Sequence, residues 1–186
     1  MPSVAPVRDQ QGYSLIELLV VMLILGTILA GLGGLFVSAM HAEADLNRRF
    51  QAETEVRLAL DKVRREGHCA RSAQLAPDSS YVLLDVPASC PTAGGADVSV
   101  MWCVRSNGTP SPRYALFRIA PSTGSCAGGV QQADYLTSGA PFGYTAPVSG
   151  ASRPKLSVDF TVDLSPTDTI GRYALKDDIV LRNSIL

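Results

Sequence analysis

Three groups of residues carry the types that chemistry needs: one acid inside an apolar run, four cysteines, and a late group of carboxylates. Glu17 is the only formal charge between Tyr13 and Met40. A carboxylate in an apolar helix costs several kcal/mol unless it is protonated or paired, so Glu17 requires a partner. The cysteines, Cys69, Cys90, Cys103 and Cys126, all follow the apolar run, at gaps too wide for a CxxC metal or redox motif. They are expected to be oxidised in an oxidising compartment. Three connectivities are open; in one, Cys103 and Cys126 staple a hairpin and Cys69 is left for Cys90. Gly124-Ser125-Cys126-Ala127-Gly128 mimics a nucleophile elbow, but an activated thiol needs a nearby base. His41, at the end of the apolar run, and His68, at a helix end, do not supply one. Cys126 therefore reads as a half-cystine, and no catalytic residue is assigned. Asp159, Asp163, Asp168, Asp177 and Asp178 offer oxygen ligands for calcium, yet without the spacing of a calcium loop they read as a solvated acidic face. Neither a metal nor a cofactor is expected.

The elements that must position these residues follow from composition and periodicity. The chain has 186 residues, 46% hydrophobic and 18% charged, and both fractions are displaced by one stretch. From Leu18 to Met40, 23 consecutive residues carry no formal charge, enough as a helix to cross a ~30 Å hydrocarbon core. Lys plus Arg number 16 against 17 Asp plus Glu, which disfavours nonspecific nucleic-acid binding. Residues 1–12 hold two prolines and little apolar character and read as a leader. Residues 13–40 read as a transmembrane helix and 41–67 as a stalk helix continuing it, since no proline interrupts 13–66. In the stalk, Leu46, Phe50, Val56, Leu60 and Val63 fall near a 3.6-residue period. Asp45 with Arg49, Glu53 with Arg57, and Asp61 with Arg65 are helix-favouring pairs, and Gly67 is a candidate stop.

Past Gly67 the period changes to two over 68–186. Strands are expected at Tyr81–Val86, Val98–Arg105, Arg113–Ala120, Leu156–Leu164 and Tyr173–Arg182. In the fourth, Leu156, Val158, Phe160, Val162 and Leu164 share one face, so one face is buried and one is wet. Asn107-Gly108 marks a hairpin, and Trp102, alternating with Val98, Val100 and Val104, reads as core. Residues 121–154, rich in Gly, Pro, Ser and Thr, read as a long loop or insertion. The class is α+β: a long N-terminal helix packed by its second half on an antiparallel sheet.

Gly12-Tyr13-Ser14-Leu15-Ile16-Glu17-Leu18-Leu19-Val20-Val21 resembles the processing motif of the type IV pilin and pseudopilin superfamily, where a leader ending in Gly precedes an aromatic residue and a Glu within an apolar helix. Tyr13 stands where Phe is commonest and keeps the ring. The resemblance implies cleavage after Gly12 by a prepilin peptidase and N-methylation of Tyr13. It further implies a single-pass anchor in the cytoplasmic membrane with the C-terminal domain outside the cytoplasm, and assembly into an extracytoplasmic filament with other pilins or pseudopilins through a membrane platform protein. Cleavage would expose an amine within about one helical turn of Glu17, and in a staggered bundle the amine of one subunit reaches the Glu of its neighbour, registering the two.

Two other readings compete for the same segment. A secretory signal peptide finds a cleavage site at Val37-Ser38-Ala39, but its apolar core is shorter and carries no acid. An ordinary anchor explains the length but neither Gly12 nor Glu17. Gly26, Ala30, Gly34 and Ser38 recur every four residues and place a small-residue strip on one helix face, suited to close helix packing. Gly33-Gly34 lies where many major pilins have a helix-breaking proline. The closing Ile179-Val180-Leu181-Arg182-Asn183 resembles the ends of J-type minor pseudopilins and W-type minor pilins, and Glu17 argues against the K-type tip subunit, which lacks that acid. A minor, structural subunit of a type IV pilus or a type II secretion pseudopilus is expected. The alternative is a tip adhesin or DNA-uptake subunit that uses residues 121–154 for contact.

Overall fold

A computed structural model gives the structure of the protein and describes residues 13–108, 113–148, 152–164 and 172–184. The leader 1–12 with Gly12, and Asp168, lie outside the described residues. One helix, α1 (Leu15–Cys69), is followed by β1 (Ser72–Leu75), β2 (Tyr81–Val86), β3 (Val98–Ser106), β4 (Tyr114–Ile119), β5 (Val130–Leu136), β6 (Phe142–Thr145), β7 (Lys155–Val162) and β8 (Tyr173–Val180). The chain divides into two compact units, Met1–Leu46 and Asn47–Leu186.

The second unit is α+β, as its sequence pattern implies. Strands β1 to β5 pair in sequence order, all antiparallel. Strand β7 joins them at Leu136↔Val162 and also pairs with β6 and, along its whole length, with β8. Strand β6 returns beside β1, so the sheet is curled. The C-terminal part of α1 packs on it through Ala52, Val56, Ala59, Leu60 and Val63, all buried with Val82, Leu84, Val100, Trp102, Leu116 and Phe160. Burying a Val or Leu side chain contributes ~1.5–3 kcal/mol, so this stripe is what makes a charged helix part of a core. The strand Lys155–Val162 follows its alternation: Leu156, Val158, Phe160 and Val162 are buried and the residues between them are not.

Several sequence expectations are corrected. Leu46 and Phe50 share the period of Val56, Leu60 and Val63 but are 67% and 70% exposed, because the sheet covers α1 only from Ala52 onward. Gly67 does not stop the helix, which runs to Cys69; it permits contact, since a Cβ there would lie 2.8 Å from Cγ2 of Ile179. Asp61 pairs with Arg64 at 2.9 Å, while Arg65 bonds the Asp61 carbonyl. Arg57 donates to the Tyr173 hydroxyl.

Residues 121–154 are not one loop, because they contain β5 and β6. The part before β5 also has a packing role. Met101, Cys103 and Ile119 form a second buried cluster with Cys126 against it, so β3 is covered on both faces.

The end of α1 is capped by the end of the chain. The last turn of a helix leaves carbonyls without helical partners. Here Ala70 N bonds the Glu66 carbonyl, Arg182 N the His68 carbonyl and Asn183 Nδ2 the Cys69 carbonyl, at 2.8, 3.2 and 2.9 Å. His68 Nδ1 faces the Val180 carbonyl at 2.9 Å and therefore carries its proton. The segment Ile179–Asn183 thus has a mechanical task, to close the helix end.

Candidate functional site

In the first unit, Tyr13 and Ser14 precede α1, and the Ser14 carbonyl accepts from the amides of Glu17 and Leu18 at 3.0 and 3.2 Å. Glu17 lies in the first helical turn, where the free amides favour an acid. Tyr13, Glu17, Leu18 and Val21 line one shallow cleft, as the i, i+4, i+5, i+8 spacing dictates. Tyr13 is 86% exposed. Among the described residues no side chain pairs with Glu17.

No part of the most apolar window of α1 is buried within the chain, and that window meets the length and composition of a membrane span. Leu15, Ile16, Leu23, Leu35 and Phe36 are all exposed. A helix apolar all round is covered by something outside itself, lipid or other helices. Gly26, Ala30, Gly34 and Ser38 are helical and exposed, and the space above Gly26 and Gly34 is open. The helix continues through Gly33-Gly34.

The second unit holds the cysteines and the carboxylates. Cys69 is bonded to Cys90 and Cys103 to Cys126, with Cα–Cα distances of 6.0 and 5.9 Å. Cys126 is therefore no free thiol. The first bond ties the end of α1 to the segment after β2; the second holds the 121–129 segment over the back of β3. Asp159, Asp177 and Asp178 line one cleft beside Lys176, but Asp177 pairs with Arg64, Asp159 with Lys176 and Asp163 with Arg172. Among the described residues no group of three His, Cys, Asp or Glu side chains is placed to hold a metal.

One polar residue with a structural task was not singled out from the sequence. Glu66 is 2% exposed, accepts from Trp102 Nε1 at 2.7 Å and from Arg118 Nε at 2.8 Å, and so ties α1 to β3 and β4. Its signal was available: Ala52, Val56, Ala59, Val63 and Glu66 follow at spacings of 4, 3, 4 and 3, an acid on an apolar stripe. A second such site is Asp134, which accepts from Arg113, Asn107 and the Tyr135 amide. Burial pushes its carboxyl up, but the Arg113 guanidinium and the other donors outweigh this and hold it below the usual carboxylate range.

Residues 7–33 match the family described as the prokaryotic N-terminal methylation motif. The match spans the Gly12–Glu17 segment and about the first two thirds of the apolar run Leu18–Met40. No curated protein and no solved structure matches the chain. The long apolar helix on an antiparallel sheet is a pilin-like arrangement; the helix is long and apolar enough to cross a membrane, and the motif points to a structural subunit rather than an enzyme. The motif implies processing by a prepilin peptidase and assembly with other pilins.

Proposed function

We propose that the protein is a minor pilin or pseudopilin, cut after Gly12, methylated on Tyr13, anchored by residues 13–40 and carrying residues 68–186 outside the cytoplasm. The observation that carries this reading is the acid of Glu17, one helical turn beyond Tyr13 in an apolar stretch of α1 that none of the described residues covers. Cleavage supplies an amine, and a neighbouring subunit's amine meets Glu17 as its counter-charge, so each joining helix is set in register by one ion pair. The strip Gly26, Ala30, Gly34 and Ser38 lets helices approach closely. The minor role is supported by the form of the closing Ile179–Asn183 segment. The irregularity of residues 121–154 no longer supports it, because they carry two strands of the sheet. Intact mass and N-terminal sequencing of the protein from its host test the reading: the expected N-terminus is methylated Tyr13. A mature chain beginning at Met40, the product of a secretory signal peptidase, would refute it.

A further inference from the structure

On the flank of α1 in the second unit, Glu55, Leu58, Lys62 and Arg65 follow at spacings of three, four and three, which places them on one stripe, distinct from the buried one. Leu58 is 55% exposed and, at the start of β5, Val130 is 66% exposed. Leu58, Lys62 and Val130 line one cleft, with Glu55 at its border. The cleft continues into a second of about 340 Å³, where Lys62, Arg65 and Arg118 meet Val130. The result is a groove with an apolar floor, a cationic end and an acid at the opposite end.

The charges at the cationic end are not used up inside the chain. Arg118 is neutralised by Glu66. Lys62 reaches only the neutral side chain of Gln132, and Arg65 a backbone carbonyl. Elsewhere in this unit Arg64, Arg71, Arg113 and Arg172 each meet a carboxylate, whereas Arg57, Arg105 and Arg153 bond neutral oxygens away from this groove. Among the described residues no carboxylate pairs with Lys62 or Arg65. Exposed apolar side chains beside two uncompensated cations are the complement of a segment in which an apolar residue lies next to an acid.

We infer that this groove receives such a segment from a different subunit of the same filament, an inference that rests on the pilin-like reading above. The apolar side chain lies on Leu58 and Val130, the carboxylate sits between Lys62 and Arg65, and Glu55 repels the reversed orientation.

The test places a photoreactive amino acid at exposed Gln131 of the full chain in its host, with and without the pair Lys62→Glu and Arg65→Glu. Both cations are exposed, and retention of the Cys69–Cys90 bond checks the fold of the double variant. The expected result is a crosslink to another filament subunit, through a peptide in which an apolar residue lies next to an acid. Its yield should fall about tenfold on charge reversal, equivalent to ~1.4 kcal/mol, and recover when the partner's acid is replaced by Lys. No crosslink to a subunit, a crosslink only to a second copy of this chain, or a yield indifferent to the reversal overturns the inference. Processing is read on the same cells: a chain methylated on Tyr13 without the crosslink defeats the groove alone, whereas a chain cut elsewhere defeats the pilin-like reading and the groove with it.

Discussion

The two units deal with their carboxylates in opposite ways. In the second, Glu66, Asp134 and Asp163 each meet an arginine of the same unit, and two disulfides tie the end of α1 to the segment after β2 and β3 to the segment before β5. In the first, Glu17 has no side-chain partner among the described residues, and the apolar surface around it is uncovered. A unit that satisfies its own polar groups is finished when it folds. One that leaves a carboxylate and a whole apolar helix unsatisfied is finished only by a second molecule or a membrane. Changes at the paired acids of the second unit should therefore be read as stability, and changes at Glu17, or in the groove at Lys62 and Arg65, as assembly.

The largest effect is expected where self-sufficiency is most complete. Glu66→Ala strands the Trp102 N–H and the Arg118 guanidinium, and breaking such a buried pair costs ~3–5 kcal/mol. Glu66→Gln, which keeps an acceptor for Trp102, should cost about half of that. Denaturant midpoints of the oxidised full chain in detergent measure both. A loss below ~1 kcal/mol would mean that water reaches Arg118 freely and that the lock contributes little.

Replacing Cys69 and Cys90 together by Ala should cost ~3 kcal/mol, since the bond closes a loop with a sequence separation of 21. It should also loosen the end of α1, seen as faster amide exchange at Ala70 and Arg71. Unchanged exchange there would show that Arg182 and Asn183 hold the helix end without the disulfide.

A smaller effect follows acid. Because the Asp134 carboxyl is depressed in the folded chain, its contribution is present above the unfolded value of ~3.9 and is lost as pH falls through the lower folded value. Asp134→Asn should lower stability at neutral pH by ~1–2 kcal/mol and flatten the acid limb of the stability curve below pH ~4. An acid limb as steep as in the unmodified chain would assign acid sensitivity to other carboxylates.

Legibility in the sequence divides along physical lines. Strands with clean alternation, Tyr81–Val86 and Lys155–Val162 above all, are visible because one wet and one buried face leave a period of two. Strand β5 is not, because its pairing with β4 shifts register between Tyr114 and Phe117, Tyr135 takes a φ of +61°, and Ala133 and Asp134 are buried in succession. A bulge erases the alternation that would reveal the strand. Strand β6 is four residues long and contains Gly143, where an added Cβ would meet the Ser157 hydroxyl. Leu46 and Phe50 mislead for another reason: period locates an apolar face but not what covers it. The N-terminal segment was legible because its constraints are local, a residue type at a fixed spacing within one helix, whereas Glu66 depends on Trp102 and Arg118, 36 and 52 residues away.

The sharpest use of the contrast is the change expected to leave folding untouched. Glu17→Ala makes the first unit more apolar and spares Gly12, so membrane insertion, cleavage and the stability of the second unit should match those of the unmodified protein. Assembly should still suffer, because the amine of a neighbouring subunit would lose its counter-charge. Glu17→Gln separates charge from polarity: the amide keeps its hydrogen bonds but cannot form the ion pair, so a defect equal to that of Ala assigns the effect to charge. Crosslinking to partner pilins, and filament number or secretion, at equal amounts of processed protein, provide the readout. The loss should be partial, since the small-residue strip and the groove beside Lys62 supply further contacts. Normal crosslinking and normal output in both variants would show that Glu17 does not register subunits, and would leave the cost of that acid to be met by the membrane interface instead.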